Sequence, residues 1–239
     1  MIAQRSLHAP LHTKRVFVFD WDGTILDSMP IKSLNFVQAF KSVIPESVQP
    51  GLVDSVKGHY LRLSGHPRKY IFYEILNLLN LEPDEILYDR FNAAFEVLNK
   101  QNLIHAKLFV DALDLLRALI DEGRQIFISS SVPPKELVDL VGAILPSLIR
   151  YNISSILGSL DDFSKGKGHL QWIVSETGAT RDQILVVGDD VADYELSFEA
   201  GVDCILVDRK CMLRGRKISA VSDLYQLRDD LKNEIQSTR

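Results

Sequence analysis

The apolar positions of this chain follow two rhythms. Short, largely unbroken apolar runs at Val16 to Phe19, Gln125 to Ile128, Ile184 to Val187 and Cys204 to Val207 are those of strands covered on both faces. Between the later runs the spacing turns helical. Leu113, Leu116, Ala118 and Leu119 recur before a stop at Gly123, and Leu137, Val138, Leu140 and Val141 follow Pro133 and Pro134. A further helix is expected over Leu170 to Glu176, ending near Gly178. Strands alternating with helices predict an α/β fold with a parallel sheet.

From Ser28 to about His105 the alternation stops, and the pattern predicts helix after helix: Pro30 to Val43, His66 to Asn80 and Pro83 to Lys100. The expected organisation is a core made of residues 1–27 and 106–239, with a helical subdomain, residues 28–105, inserted into it. The insert leaves from the carboxyl end of the first strand, where α/β sheets carry active-site loops, so it is placed to act as a lid.

At 239 residues the chain can bury a substantial interior without metal or disulfide support. Its 27 basic and 32 acidic residues give a net charge of −5, which offers no general attraction for nucleic acid or an anionic membrane. Arg209, Lys210, Arg214, Arg216 and Lys217 form a late basic patch, read as a solvated loop because no aromatics are interleaved. The two cysteines, Cys204 and Cys211, match no zinc or redox spacing. Without a signal-peptide pattern or a long apolar run, a cytoplasmic protein is expected, as a monomer or weak homodimer.

Chemistry enters where strands end in carboxylates. Val16 to Phe19 runs into Asp20-Trp21-Asp22-Gly23-Thr24, and Ile184 to Val187 runs into Gly188-Asp189-Asp190. In extended backbone Asp20 and Asp22 leave on the same side, and Gly23 permits a sharp turn. Acids this close repel unless a cation shares them or one keeps its proton. Magnesium favours hard oxygen ligands, so Asp20 and Asp189 are expected to hold it, with Asp190 or Asp193 third or in the outer shell. Asp22 is then free to serve as general acid and base. An EF-hand is excluded, because its loop positions six and twelve would fall on Ile25 and Ile31, and no P-loop motif is present.

Ser129, Ser130 and Ser131 follow the second run and can meet phosphate oxygens, Ser129 first. Lys165 and Lys167 alternate with Gly166 and Gly168, a setting in which an ammonium can approach a phosphate and a carboxylate. In the helical insert, Lys32, Arg62 and Arg68 are candidates for substrate contact beside Lys69 and Tyr70. His59 and His66 do not make a zinc site by spacing alone, and His8, His12, His105 and His169 are scattered.

These residues resemble the haloacid dehalogenase-like hydrolases, a family made mostly of phosphatases. Asp20 to Thr24 match its D-x-D-G-T motif, and Gly188, Asp189 and Asp193 match its G-D-x-x-x-D motif, with Ala200-Gly201 completing the phosphoglycolate-phosphatase-like ending. The resemblance implies a Rossmann-like parallel core with a small helical cap of the phosphoglycolate phosphatase and β-phosphoglucomutase kind. It further implies that Asp20 is a nucleophile forming an aspartyl-phosphate, that Asp22 is the acid/base, and that Ser129 and Lys167 or Lys165 are the remaining catalytic positions. Lys167 is favoured by its distance from the last motif. Gly23, Thr24 and Ser130 are expected at the phosphate, with Mg2+ on Asp20, the backbone carbonyl of Asp22, and Asp189.

The implied activity is a magnesium-dependent phosphomonoesterase for a small phosphorylated metabolite, a sugar phosphate or phosphoglycolate. A phosphomutase, a phosphonate hydrolase and a non-enzymatic phospho-receiver or scaffold are the rivals. Asp22 argues against dehalogenases, and the D-K-T-G-T signature of transport ATPases is not matched.

Overall fold

The computed structural model describes residues 9–44, 52–63, 66–160, 162–209, 211, 213 and 218–238. The chain divides into two compact units, Met1–Asp27 with Leu108–Arg239, and Ser28–Lys107. The first unit begins with β1 (Val16–Phe19) and β2 (Leu26–Asp27). Four helices follow, α1 (Met29–Val43), α2 (Leu52–Arg62), α3 (Arg68–Leu78) and α4 (Glu85–Asn102), and the chain returns through β3 (Lys107–Leu108). It continues as α5 (Val110–Asp121), β4 (Gln125–Ser129), α6 (Pro134–Ile144), α7 (Ser147–Arg150), β5 (Ile153–Leu157) and α8 (Lys167–Thr177). The last elements are β6 (Ile184–Gly188), α9 (Val191–Glu199), β7 (Asp203–Val207), β8 (Ala220–Val221) and α10 (Leu224–Thr238).

Six strands form one sheet in the order β5-β4-β1-β6-β7-β8, and each pairing is parallel. β1 lies inside the sheet, between β4 and β6, which is why all four of its residues are apolar and buried. One sheet face, with Val16, Val18, Phe127 and Val186, packs with Leu170 and Ile173 of α8. Cys204 belongs to this cluster as an apolar side chain, and burial pushes its thiol pKa up.

The register decides where the chemistry goes. Phe19 is paired with Ile128 on one side and Val187 on the other, so the next residues, Asp20, Ser129 and Gly188, emerge together at one edge. The Asp20 N–H donates to the Val187 carbonyl at 2.8 Å and continues the ladder by one bond.

The helical unit is built around rings. Phe36, Phe40, Phe72, Phe91, Phe95 and Tyr60 are buried together, with Phe72 and Phe91 stacked at 4.6 Å and Phe36 meeting Phe91 edge-on at 4.8 Å. A buried amide pair, Asn35 Nδ2 donating to Asn99 Oδ1 at 3.0 Å, satisfies the polar groups nearby.

The departures from the sequence expectation have local causes. The stretch between the first two expected helices, to which no element was assigned, holds α2, whose Val56 and Tyr60, one turn apart, enter the ring cluster. β5 was not expected because Ser154 and Ser155 interrupt it, and as an edge strand it is covered only in part. Helix α8 starts earlier than expected, at Lys167, and ends at Gly178, which adopts the left-handed conformation.

Arg209 is not the solvated loop residue expected of it. Its guanidinium donates to both oxygens of Asp111 at 2.6 and 3.0 Å and to the Thr24 carbonyl at 3.3 Å, and lies 3.8 Å from the Phe109 ring centre. Lys210, Arg214, Arg216 and Lys217 lie outside the described residues. Among the described residues no helix is long and apolar enough to cross a membrane.

Candidate active site at the strand ends

β1 stops at Phe19, so Asp20 to Thr24 form a turn rather than the extended backbone assumed from the sequence. The Ile25 and Leu26 N–H groups both donate to the Trp21 carbonyl, and the Gly23 N–H donates to the Leu26 carbonyl at 2.8 Å. Gly23 has φ +85, and a Cβ there would lie 2.1 Å from Asp189 Oδ2. Only glycine lets the Asp189 carboxylate come this close to the β1 turn. Thr24 is buried, with its hydroxyl 3.4 Å from Asp20 Oδ2.

At the end of β6, α9 begins with a reciprocal cap. Asp190 Oδ1 accepts from the Ala192 N–H at 2.9 Å, while Asp193 Oδ2 accepts from the Asp190 N–H at 3.3 Å. Asp190 is thus occupied with capping the helix. Asp193 keeps its other oxygen for the site, and of the two aspartates expected as third ligand it is the one that joins Asp20 and Asp189.

Ligand atoms of Asp20, Asp189 and Asp193 all lie within 4.8 Å of one another. Lys165 is the counter-charge, with Nζ 2.6 Å from Asp20 Oδ1 and 2.6 Å from Asp193 Oδ1. Of the two candidate lysines, Lys165 is the one placed against these carboxylates. Lys167 is an exposed first residue of α8 and borders a different cavity, with Gln171, Arg181 and Glu199. Distance along the chain favoured Lys167, but Gly166, at φ +92, turns the backbone between the two and they do not share a surrounding.

The electrostatics express too much negative charge for one ammonium. Burial pushes the Asp20 carboxyl up to about 7; Lys165 works against this, while Asp193 and Asp22 add to it. Burial, Asp20 and Asp193 likewise push Asp189 well above the usual carboxylate range. Burial opposes the charge on Lys165, but Asp193 and Asp20 outweigh it and hold the ammonium firmly protonated. Three clustered carboxylates, Asp20 and Asp193 buried and Asp189 half-buried, are all hard oxygen donors and fit a small divalent cation, which would relieve this repulsion.

Across the site, Ser129 is the last residue of β4 and is buried. Its Oγ lies 2.8 Å from His169 Nδ1, and His169 Nε2 lies 3.1 Å from the Gly158 carbonyl oxygen. Ser129, Asp20, Lys165 and Asp193 border one cavity. The loops after β4 and β5 are stitched together. The Ser130 N–H donates to the Leu157 carbonyl, the Ser159 N–H to Val132, and the Ser159 hydroxyl to the Ser130 carbonyl at 2.9 Å. Ser159 Oγ in turn accepts from the Lys165 N–H at 2.9 Å. Ser130, expected at the phosphate, has its own Oγ accepting from the Val132 N–H at 3.3 Å.

His169 was passed over as one scattered histidine among several. The available signal was its place in the first turn of the helix that follows the Lys-Gly repeat.

The helical-unit candidates are placed as follows. Arg68 lies 4.8 Å from the Phe95 ring centre and donates to Asn92 Oδ1 at 2.7 Å and Glu96 Oε1 at 3.3 Å, all within that unit. Arg62 is exposed and hydrogen-bonded to His59. Lys32 is buried in α1.

The sequence matches the family described as haloacid dehalogenase-like hydrolase over residues 17–207. No curated protein matches it. Among solved structures, a predicted phosphoglycolate phosphatase from Haemophilus somnus superposes with a TM-score of 0.72 at 18% identity, covering 90% of this chain and 96% of that one. A predicted phosphatase from Clostridium acetobutylicum gives 0.72 at 16% identity, covering 95% and 100%. The protein CbbY from Rhodobacter sphaeroides, solved in complex with xylulose-(1,5)bisphosphate, gives 0.68 at 14% identity, covering 90% and 96%.

Proposed function

The chain belongs to the haloacid dehalogenase-like hydrolases, and from that premise we propose that it is a magnesium-dependent phosphomonoesterase. Its substrate is a small phosphorylated metabolite of the sugar-phosphate or phosphoglycolate kind. The observation that carries the reading is the Lys165 ammonium held 2.6 Å from both Asp20 and Asp193, with Asp189 in the same cluster and Ser129 on the same cavity. An ammonium, an acidic cluster and a hydroxyl around one buried carboxylate make a receptacle for a phosphoryl group.

In the proposed reaction an Asp20 oxygen attacks phosphorus, forming an aspartyl-phosphate as the bond to the leaving oxygen breaks. Asp22, an electrostatic neighbour of Asp20, enters this step in its protonated form, gives that proton to the leaving oxygen and releases an alcohol. It then takes a proton from the water that attacks the aspartyl-phosphate, and inorganic phosphate departs. Lys165 and Ser129 hold the phosphoryl oxygens in both steps. Asp20, Asp189 and Asp193, with the Asp22 backbone carbonyl, would hold magnesium, which when bound would supply neutralisation of phosphoryl charge.

The test is a screen of purified protein with magnesium against a panel of phosphorylated metabolites, reading free phosphate and isomerised sugar phosphate in parallel. Net phosphate release that requires the divalent cation is expected. Isomerisation without release would assign a phosphomutase instead, and neither product from any ester would defeat the reading.

A further inference from the structure

One buried titratable group at the site has no part in the proposed reaction. His169 is fully buried between β4 and the loop after β5, yet both of its ring nitrogens are engaged. A backbone carbonyl has no hydrogen to give, so Nε2, facing the Gly158 oxygen, carries the ring proton. In a neutral imidazole Nδ1 is then bare and accepts the Ser129 O–H. Burial holds the ring pKa down to about 4, and the Lys165 charge adds to this, which supports the neutral form.

The Ser129 hydroxyl therefore has its only hydrogen committed away from the cavity. To donate to a phosphoryl oxygen it must turn that hydrogen outward. Oγ and Nδ1 would then face each other lone pair to lone pair at 2.8 Å, a buried contact without a hydrogen.

We propose that His169 is a positioning residue for Ser129, and that the pair takes up one proton when Ser129 turns its hydroxyl to a bound phosphoryl oxygen. The proton comes from solvent and lands on Nδ1, which then donates to Ser129 Oγ; no other bond changes. The inference rests on the reading that Ser129 meets a phosphoryl group.

The surroundings of the ring are simple. Lys165, from the loop before α8, is the charged group acting on it. β4 contributes the Ser129 hydroxyl, the loop after β5 contributes the Gly158 carbonyl, and Phe163 contributes a backbone hydrogen bond as well as its ring at 4.7 Å; the two backbone groups favour a protonated ring but are outweighed by burial. An arriving phosphoryl dianion offsets the lysine charge and favours the imidazolium.

The test counts protons. Calorimetric titration of the magnesium-loaded protein with inorganic phosphate at about pH 6, above the free ring pKa of about 4, in two buffers of unequal ionisation enthalpy, gives the number taken up on binding. Wild-type protein is expected to take up about one proton more than the His169→Asn variant, whose amide can rotate from accepting to donating and needs none. Equal counts would overturn the exchange.

Imidazole 15N spectra of the wild type give the same answer if the variant does not fold. A bare Nδ1 and a protonated Nε2 are expected without phosphate, and both nitrogens protonated with it. An Nδ1 that stays bare in the phosphate complex, or carries the proton without phosphate, contradicts the proposal. A wild type that binds no phosphate would overturn the phosphatase reading together with the exchange, whereas binding with equal counts removes the exchange alone.

Discussion

The two flanks of the site solve the burial of polar groups in opposite ways. On the β1 and β6 flank, Asp20, Asp189 and Asp193 crowd around one ammonium, and the carboxyl pKa values of Asp20 and Asp189 are driven upward. On the β4 and β5 flank, Ser129, His169 and the Gly158 carbonyl form a neutral chain, and the His169 pKa is driven down. Burial favours the uncharged form in both, but only the neutral chain is satisfied by protein atoms alone. The acidic flank carries a repulsion that a bound cation would relieve. The contrast separates what binds charge from what holds geometry.

Replacing Asp20 with Asn strikes the comparison hardest. Turnover should fall by roughly 10³-fold or more, because the proposed nucleophile is gone. Thermal unfolding without divalent cation should occur at the same or a higher temperature, since one repelled carboxylate has been removed. Normal phosphate release by the pure variant would remove the nucleophile assignment.

The two lysines give the next largest contrast. Lys165→Met should cost roughly 10²-fold in kcat/KM, whereas Lys167→Met, at an exposed position, should stay within about 3-fold of wild type. Similar losses for the pair would mean that the 2.6 Å contacts of Lys165 do not reflect its role.

Stability against pH sharpens the difference between the flanks, because the signs are opposite. The Asp20 pKa is raised to about 7 from 3.8, so between those values the folded state holds more protons than the unfolded one. In chelator, the Asp20 contribution therefore weakens stability as pH rises from about 4 to about 7. Magnesium should flatten that slope, measured as urea midpoints with and without the ion. A slope unaffected by magnesium would separate the acidic cluster from cation binding.

His169 runs the other way and is the smallest effect. Its pKa is lowered from 6.5 to about 4, so its contribution is complete above 6.5 and is lost as pH falls toward 4. About 1 kcal/mol should disappear between neutrality and pH 5.5. The difference in unfolding free energy between wild type and His169→Asn, followed across that window, isolates the term; a constant difference would show that the ring is not held neutral.

Much of this was legible in the chain. Val16 to Phe19 and Ile184 to Val187 announce interior parallel strands because a strand covered on both faces has no polar alternation, and the acids that follow must then sit at the sheet edge. β5 and α2 were illegible for the converse reason. An edge strand tolerates Ser154 and Ser155, and α2 carries few apolar residues beside Val56 and Tyr60 at helical spacing, so its pattern is weak.

What the sequence determined by itself is the list of groups that meet: two acidic strand ends, a serine, and a lysine among glycines. Local residue order dictates strand, turn and helix, and parallel strands in one sheet bring their carboxyl ends to a common edge. Tertiary structure alone decided which of two lysines faces Asp20, which of Asp190 and Asp193 caps a helix and which joins the cluster, and that His169 holds Ser129. Those choices turn on a positive φ at Gly166, a reciprocal cap and a packing distance across the chain. Each depends on atoms brought together from separate elements, and no spacing along the chain encodes them.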